Sequence, residues 1–180
     1  MGLFQDINDE AQKRSLNFIV IGGIAVIFHG VMRDTADLDL LVRAREKAQW
    51  FDLLRLLGYK LRNDRDNFAQ LDPPMGGAWP VDLMLVKDET FDKMFKEATD
   101  EEMYGTRLKI PILEHLLALK VHALRYGHMV RHMKDRMDVE GLVRVNGLDM
   151  KSEKMCEIFR KHGTVELYGQ ISRATEAGRS

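Results

Sequence analysis

One cysteine, Cys156, occurs in 180 residues. A single thiol excludes an internal disulfide and a cysteine-based zinc cluster, and reads as a small apolar side chain. An excess of either charge is missing too: 27 Lys and Arg stand against 28 Asp and Glu, so bulk charge argues for no polyanion partner. The longest apolar run, fifteen residues from Phe18 to Met32, is broken by Gly22-Gly23 and His29. That falls short of the roughly 20 residues a membrane span needs. The opening stretch, MGLFQDINDEAQKR, lacks the basic-then-apolar order of a signal peptide. Together these absences set the expectation of a soluble, cytoplasmic protein with no membrane partner. The length allows one compact domain, or two small lobes sharing a core.

What is present is strongly patterned. Leu3, Phe4, Ile7, Ala11 and Leu16 recur at near-helical spacing, which predicts an amphipathic helix over residues 3–15. Phe18 to Ile21 predicts a short strand ended by Gly22-Gly23, then a short helix over 24–29 closed by Gly30. A strand over 37–42, a helix over 45–57 capped by Gly58, weaker strands over 59–62 and 67–71, and a strong strand over 81–86 follow. A helix over 88–98 and an extended piece over 107–111 come next, and Pro111 opens a long helix to about Tyr126. Three further helices are expected over about 131–145, 152–162 and 164–176, and no internal repeat is visible. The pattern predicts an α/β (α+β) fold: a mixed sheet flanked by helices over residues 1–104, then a helical part over 105–180.

The second apolar run carries acids. In the predicted strand, Asp37 and Asp39 share one face while Leu38 and Leu40 take the other. Two carboxylates about 6 to 7 Å apart repel unless a cation or proton lies between them, and a divalent metal answers that need. Asp82, at the start of the strand 81-VDLMLV-86, supplies a third carboxylate. Each piece also has a plain reading, an edge strand facing solvent or an ordinary glycine turn; the combination is what points to chemistry.

The order glycine pair, spacer, D-L-D, later Asp resembles the active-site signature of the DNA polymerase β-type nucleotidyltransferase superfamily. In detail, 22-GGIAVIFHG-30 and 33-RDTADLDLLV-42 resemble small bacterial nucleotidyltransferase-like proteins related to abortive-infection and toxin-antitoxin nucleotidyltransferases. The resemblance implies a transferase that moves a nucleotide monophosphate from an NTP to an acceptor, whether small molecule, tRNA or protein. It implies Mg²⁺, with Mn²⁺ able to stand in, held by Asp37, Asp39 and Asp82, and leaves room for a cognate antitoxin as partner. The physical logic agrees. Phosphoryl-type transfer is positioning and charge neutralisation, Mg²⁺ takes hard oxygen ligands, and glycines at 22 and 23 allow a phosphate close to the backbone. Arg33 and Thr35 match the family's R-x-T-x-D-x-D pattern, and equally suit turn chemistry and a surface charge.

Lys120 falls within the apolar arc formed by Leu113, Leu116, Leu117, Val121 and Leu124, so it must snorkel, pair or serve. Its setting resembles the family's L-x-A-L-K pattern, which implies contact with a triphosphate. The segment 131-RHMKDRMD-138 resembles the R-x-x-K-D-x-x-D segment, which implies nucleotide roles for Arg131, Lys134 and Asp135. Arg131 with Asp135, and Lys134 with Asp138, would serve equally as helical salt bridges. Seven Lys and Arg between 107 and 136 make this half basic, suited to face the acidic trio across a cleft. His122, His128 and His132 lack a sensible third zinc ligand. The rival function is a non-catalytic relative that binds a nucleotide or a partner protein.

Overall fold

A computed structural model describes residues 3–74, 78–103, 105–126 and 129–177. By internal contacts the chain divides into two units: Met1–Ala25 with Asp34–Ile112, and Val26–Arg33 with Leu113–Ser180. The first opens with helix α1 (Leu3–Lys13), strand β1 (Ile19–Val20) and helix α2 (Gly22–Phe28), the last of which runs on into the second unit. It continues through β2 (Leu38–Arg43), a 3-10 turn (Ala44–Glu46), α3 (Lys47–Leu56), β3 (Lys60–Asp64), β4 (Phe68–Asp72), β5 (Val81–Val86), α4 (Asp88–Glu97), β6 (Thr99–Met103) and β7 (Thr106–Ile110). Part of the turn-rich stretch 72-DPPMGGAWP-80, residues 75–77, lies outside the described residues.

Five strands form one mixed sheet in the order β1-β2-β5-β4-β3. The central pair, β2 and β5, is parallel and in register from Leu38↔Val81 to Arg43↔Val86; the other pairs are antiparallel. A parallel pair buried on both faces calls for nearly unbroken apolar sequence, and Leu38, Leu40, Leu41, Val42, Val81, Leu83 and Leu85 are all buried. Apart from Arg43 at the end of β2, the acids at 39 and 82 are therefore the exceptions in otherwise apolar strands. Trp50 and Leu53 of α3 are completely buried, and the Phe18 and Trp50 rings meet edge to face at 5.7 Å. Each such side chain contributes roughly 1.5 to 3 kcal/mol of burial. Gly58 ends α3 at φ 87°, letting Tyr59 N donate back to Leu54 O at 2.9 Å. At the far end of β2, Arg43 donates to Asp92 of α4 at 2.7 Å and lies over the Phe91 ring at 4.2 Å.

Strand β6, with the sequence TDEEM, is an element that the hydrophobic pattern does not announce. Three acids in a row are poor strand formers. They are tolerated because, among the described residues, β6 pairs only with β7, opposite basic residues: Asp100↔Lys109 and Glu102↔Arg107, with Lys109 Nζ at 2.9 Å from Asp100.

The second unit holds α5 (Leu113–Tyr126), α6 (Met129–Val145), α7 (Glu153–His162) and α8 (Val165–Glu176). Leu116, Leu117, Val121 and Leu124 of α5 are buried together with Val139, Leu142 and Val143 of α6 and Phe159 of α7. Ser152 and Thr164 cap α7 and α8, their hydroxyls accepting from Met155 N at 3.4 Å and Leu167 N at 3.1 Å. Among the described residues no helix is long and apolar enough to cross a membrane.

Candidate functional site

The register of the parallel pair builds the site. Asp39 of β2 lies directly opposite Asp82 of β5, and Asp37 sits at a bend one residue before β2. Facing residues on neighbouring strands project to the same side, so the carboxylates converge. One oxygen from each of Asp37, Asp39 and Asp82 lies within 4.8 Å of the other two. Among the described residues this is the one group of three or more His, Cys, Asp or Glu side chains placed to hold a metal. Three hard, anionic oxygen donors without sulfur or imidazole suit Mg²⁺ or Mn²⁺, so the residues present fit the ion that the acidic strands call for.

Neutral donors orient two of the three acids. The Thr35 hydroxyl donates to Asp37 Oδ1 at 3.0 Å. Gln70 of β4 donates from Nε2 to both oxygens of Asp82, at 3.2 and 3.3 Å. Asp82 is only 3% exposed, so these bonds replace water that cannot reach it.

Gly22 belongs to this geometry for a reason of space. The β1–α2 turn is tied to β2 by Ile21 N donating to Asp39 O at 3.0 Å, and Gly22 takes φ 63°. A Cβ there would stand 2.5 Å from Asp39 Cγ and 2.8 Å from Asp39 Cβ. Both the left-handed backbone and the carboxylate next to it demand glycine. Gly23 follows as a buried residue in the first turn of α2.

The remaining candidates lie in the second unit, and four side chains form one ion cluster there. Arg33 Nη1 is 2.6 Å from Asp138 Oδ2, Lys120 Nζ is 2.8 Å from the same oxygen, and Lys120 Nζ is 2.7 Å from Asp135 Oδ1. Two cations meet two anions. Burial works to lower the Lys120 pKa, but the charges and hydrogen bonds of Asp135 and Asp138 outweigh it and hold the ammonium above its ordinary range. Lys134 is exposed on α6; Arg131 is on the same helix, and its side chain lies outside the described residues, as does His128. His122 packs its ring against Tyr126 at 4.7 Å.

One participant escapes sequence reasoning, and another was read with different partners. Gln70 has no motif, and only the β4–β5 register, which sets it opposite Asp82, brings it to the trio. Asp138 was read as the last residue of the R-x-x-K-D-x-x-D segment and as an i,i+4 partner of Lys134; its bonds to Arg33 and Lys120 span 105 residues and a helix pair.

No protein-family model matches the chain, and no curated protein matches its sequence. Solved structures do. The antibiotic-resistance factor ANT(2'')-Ia is 14% identical, with 98% of this chain and 91% of that one aligned at a TM-score of 0.55. The lincosamide antibiotic adenylyltransferase LnuA, solved with lincomycin bound, is 15% identical over 79% of this chain and 95% of its own, at a TM-score of 0.56. An antigenic nucleotidyltransferase-like protein from Paracoccidioides brasiliensis is 16% identical over 94% and 88%, at a TM-score of 0.53. Identities this low speak for architecture alone, and the architecture shared with these proteins is the nucleotidyltransferase fold.

Proposed function

We propose that this protein is a divalent-metal-dependent nucleotidyltransferase, moving a nucleoside monophosphate from an NTP to an acceptor hydroxyl. The observation that carries the reading is the convergence of Asp37, Asp39 and Asp82 within 4.8 Å, Asp39 and Asp82 on register-matched strands and Asp37 one residue before β2. Three like charges so placed repel one another, a cost that a fold retains where a cation repays it. In the reaction the acceptor oxygen bonds to the α-phosphorus, the bond from that phosphorus to the bridging oxygen breaks, pyrophosphate leaves, and the hydroxyl proton passes to base. Asp37, Asp39 and Asp82 would hold Mg²⁺, which when bound neutralises charge on the phosphates and on the departing oxygen. Thr35 and Gln70 hold Asp37 and Asp82 in place for that task.

Gly22 and Gly23 keep the phosphate role their motif implies, with the Asp39 carboxylate lying in the space a Gly22 Cβ would take. Arg33, Lys120, Arg131, Lys134 and Asp135 keep the nucleotide roles their motifs imply as part of the proposal. A phosphate reaching Lys120 or Arg33 has to compete with Asp135 and Asp138. As for the acceptor, adenylyl-2''-tobramycin is bound in one ANT(2'')-Ia structure and lincomycin in LnuA, which makes hydroxyl-bearing small molecules the first class to try, ahead of tRNA and protein.

The test supplies each NTP labelled at the α-phosphate with Mg²⁺ and fractionated cell extract. Label should enter one fraction with wild type and not with Asp39→Asn. Equal labelling by both proteins would remove the trio from the chemistry.

A further inference from the structure

The sheet carries a polar row across three neighbouring strands. Gln70 of β4 faces Asp82 of β5, and Asp82 faces Asp39 of β2. Two members of the row are acids and the third is a neutral amide, whose Nε2 donates to both Asp82 oxygens at 3.2 and 3.3 Å. Asp82 is the most buried carboxylate of the trio.

We infer that Gln70 is a positioning residue for the metal site: it fixes the Asp82 carboxylate toward Asp37 and Asp39 while leaving its negative charge for a divalent ion. This rests on the metal-dependent reading above. The residue type is what the task needs. A buried carboxylate needs donors, and Gln70 on the neighbouring strand is one within reach. Lysine or arginine at position 70 would satisfy Asp82 too, but by placing a cation where the divalent ion belongs. Glutamate would add a further negative charge and no donor. A hydrophobic residue would remove the amide's two bonds to the Asp82 carboxylate. Only a neutral donor both orients the carboxylate and keeps its charge available, and metal sites depend on such outer partners for a tenfold to hundredfold share of their affinity.

The experiment titrates Mn²⁺ into wild type, Gln70→Met and Gln70→Lys, reading free ion by electron paramagnetic resonance. Urea unfolding of each protein in metal-free buffer accompanies it. Gln70→Met should raise the Mn²⁺ dissociation constant by about 10- to 100-fold. Gln70→Lys should weaken Mn²⁺ at least as much while standing as stable as wild type, or more so, without metal. That opposition of affinity and stability is one that a merely structural glutamine would not produce. Gln70→Met binding Mn²⁺ within about twofold of a wild type that binds it would overturn the inference and leave the proposed function standing. Wild type that takes up no Mn²⁺ overturns both. Should Gln70→Met fail to fold, undiminished Mn²⁺ binding by Gln70→Lys overturns the inference in its place.

Discussion

Replacing Lys120 by methionine keeps most of the stem volume and deletes one charge. In a snorkelling lysine that change is neutral or stabilising, because a charge that was costly to desolvate is gone. Here the ammonium bonds Asp135 at 2.7 Å and Asp138 at 2.8 Å, with side-chain exposures of 12%, 14% and 5% for Lys120, Asp135 and Asp138. Removing it leaves Asp138 with the Arg33 guanidinium and takes a charge partner from Asp135. Breaking a buried pair from one side costs about 3 to 5 kcal/mol, and the residual exposure of this cluster lowers that to about 2 to 4. Urea unfolding at pH 7 reads the loss as a lower midpoint at unchanged slope. Lys120→Met/Asp135→Asn should recover part of it, with a coupling of about 1 kcal/mol or more. The pH dependence has a definite sign. The folded-state pKa of Lys120 is raised above 10.5, so its contribution is fully present below pH 10.5 and fades as pH rises through the higher folded value. A Lys120→Met protein as stable as wild type at pH 7 would refute the account of the cluster.

Gly22→Ala should cost about 1 to 2 kcal/mol for the left-handed backbone alone, and should weaken Mn²⁺ binding by turning Asp39 aside; Asp39→Ala in the same chain relieves only part, because Asp39 Cβ is itself 2.8 Å from the new methyl. Thr35→Val, which removes the donor to Asp37 Oδ1, should lower Mn²⁺ affinity by about tenfold or more at little change in melting temperature, read by the same titration. Burial pushes the Tyr59 phenol from 10.0 up to about 12, so its stabilisation is present below pH 10 and lost as pH rises toward 12, by at most about 2.7 kcal/mol. Tyr59→Phe, lacking the bond from the hydroxyl to Trp79 O at 3.1 Å, should be about 1 kcal/mol less stable at pH 7 and should lose less stability across that window.

The elements that could be read from sequence are those where one local rule acts alone. The strands carrying Asp39 and Asp82 announce themselves by apolar runs, and those runs exist because the strands are buried on both faces. Helices α7 and α8 begin one residue after the capping Ser152 and Thr164. Strand β6 stayed hidden because its stability comes from the basic strand opposite, a partner that no window of its own residues contains. The same holds at the site. The three aspartates carry a motif, whereas Gln70 enters through register. The place of Lys120 in an apolar arc posed the right question, snorkel, pair or serve, but its answer lies on α6 and in the segment before β2, fifteen or more residues away in sequence. Gly22 shows a subtler limit: its motif suggests room for a phosphate, and in the structure the Asp39 carboxylate already fills the space a Cβ would take.

The central claim is that Asp37, Asp39 and Asp82 hold divalent metal for nucleotide chemistry. Its most direct test is the melting temperature of wild type and Asp39→Asn as Mn²⁺ is titrated with a non-hydrolysable NTP analogue. Ligand that binds only the folded state stabilises it by about 2.7 kcal/mol at a hundred times its dissociation constant. Wild type should therefore rise by several degrees, while Asp39→Asn should start level with or slightly above metal-free wild type, relieved of one repelling charge, and stay there. Equal rises in the two proteins, or an Asp39→Asn protein that melts clearly lower without metal, would make Asp39 a structural residue and contradict the account.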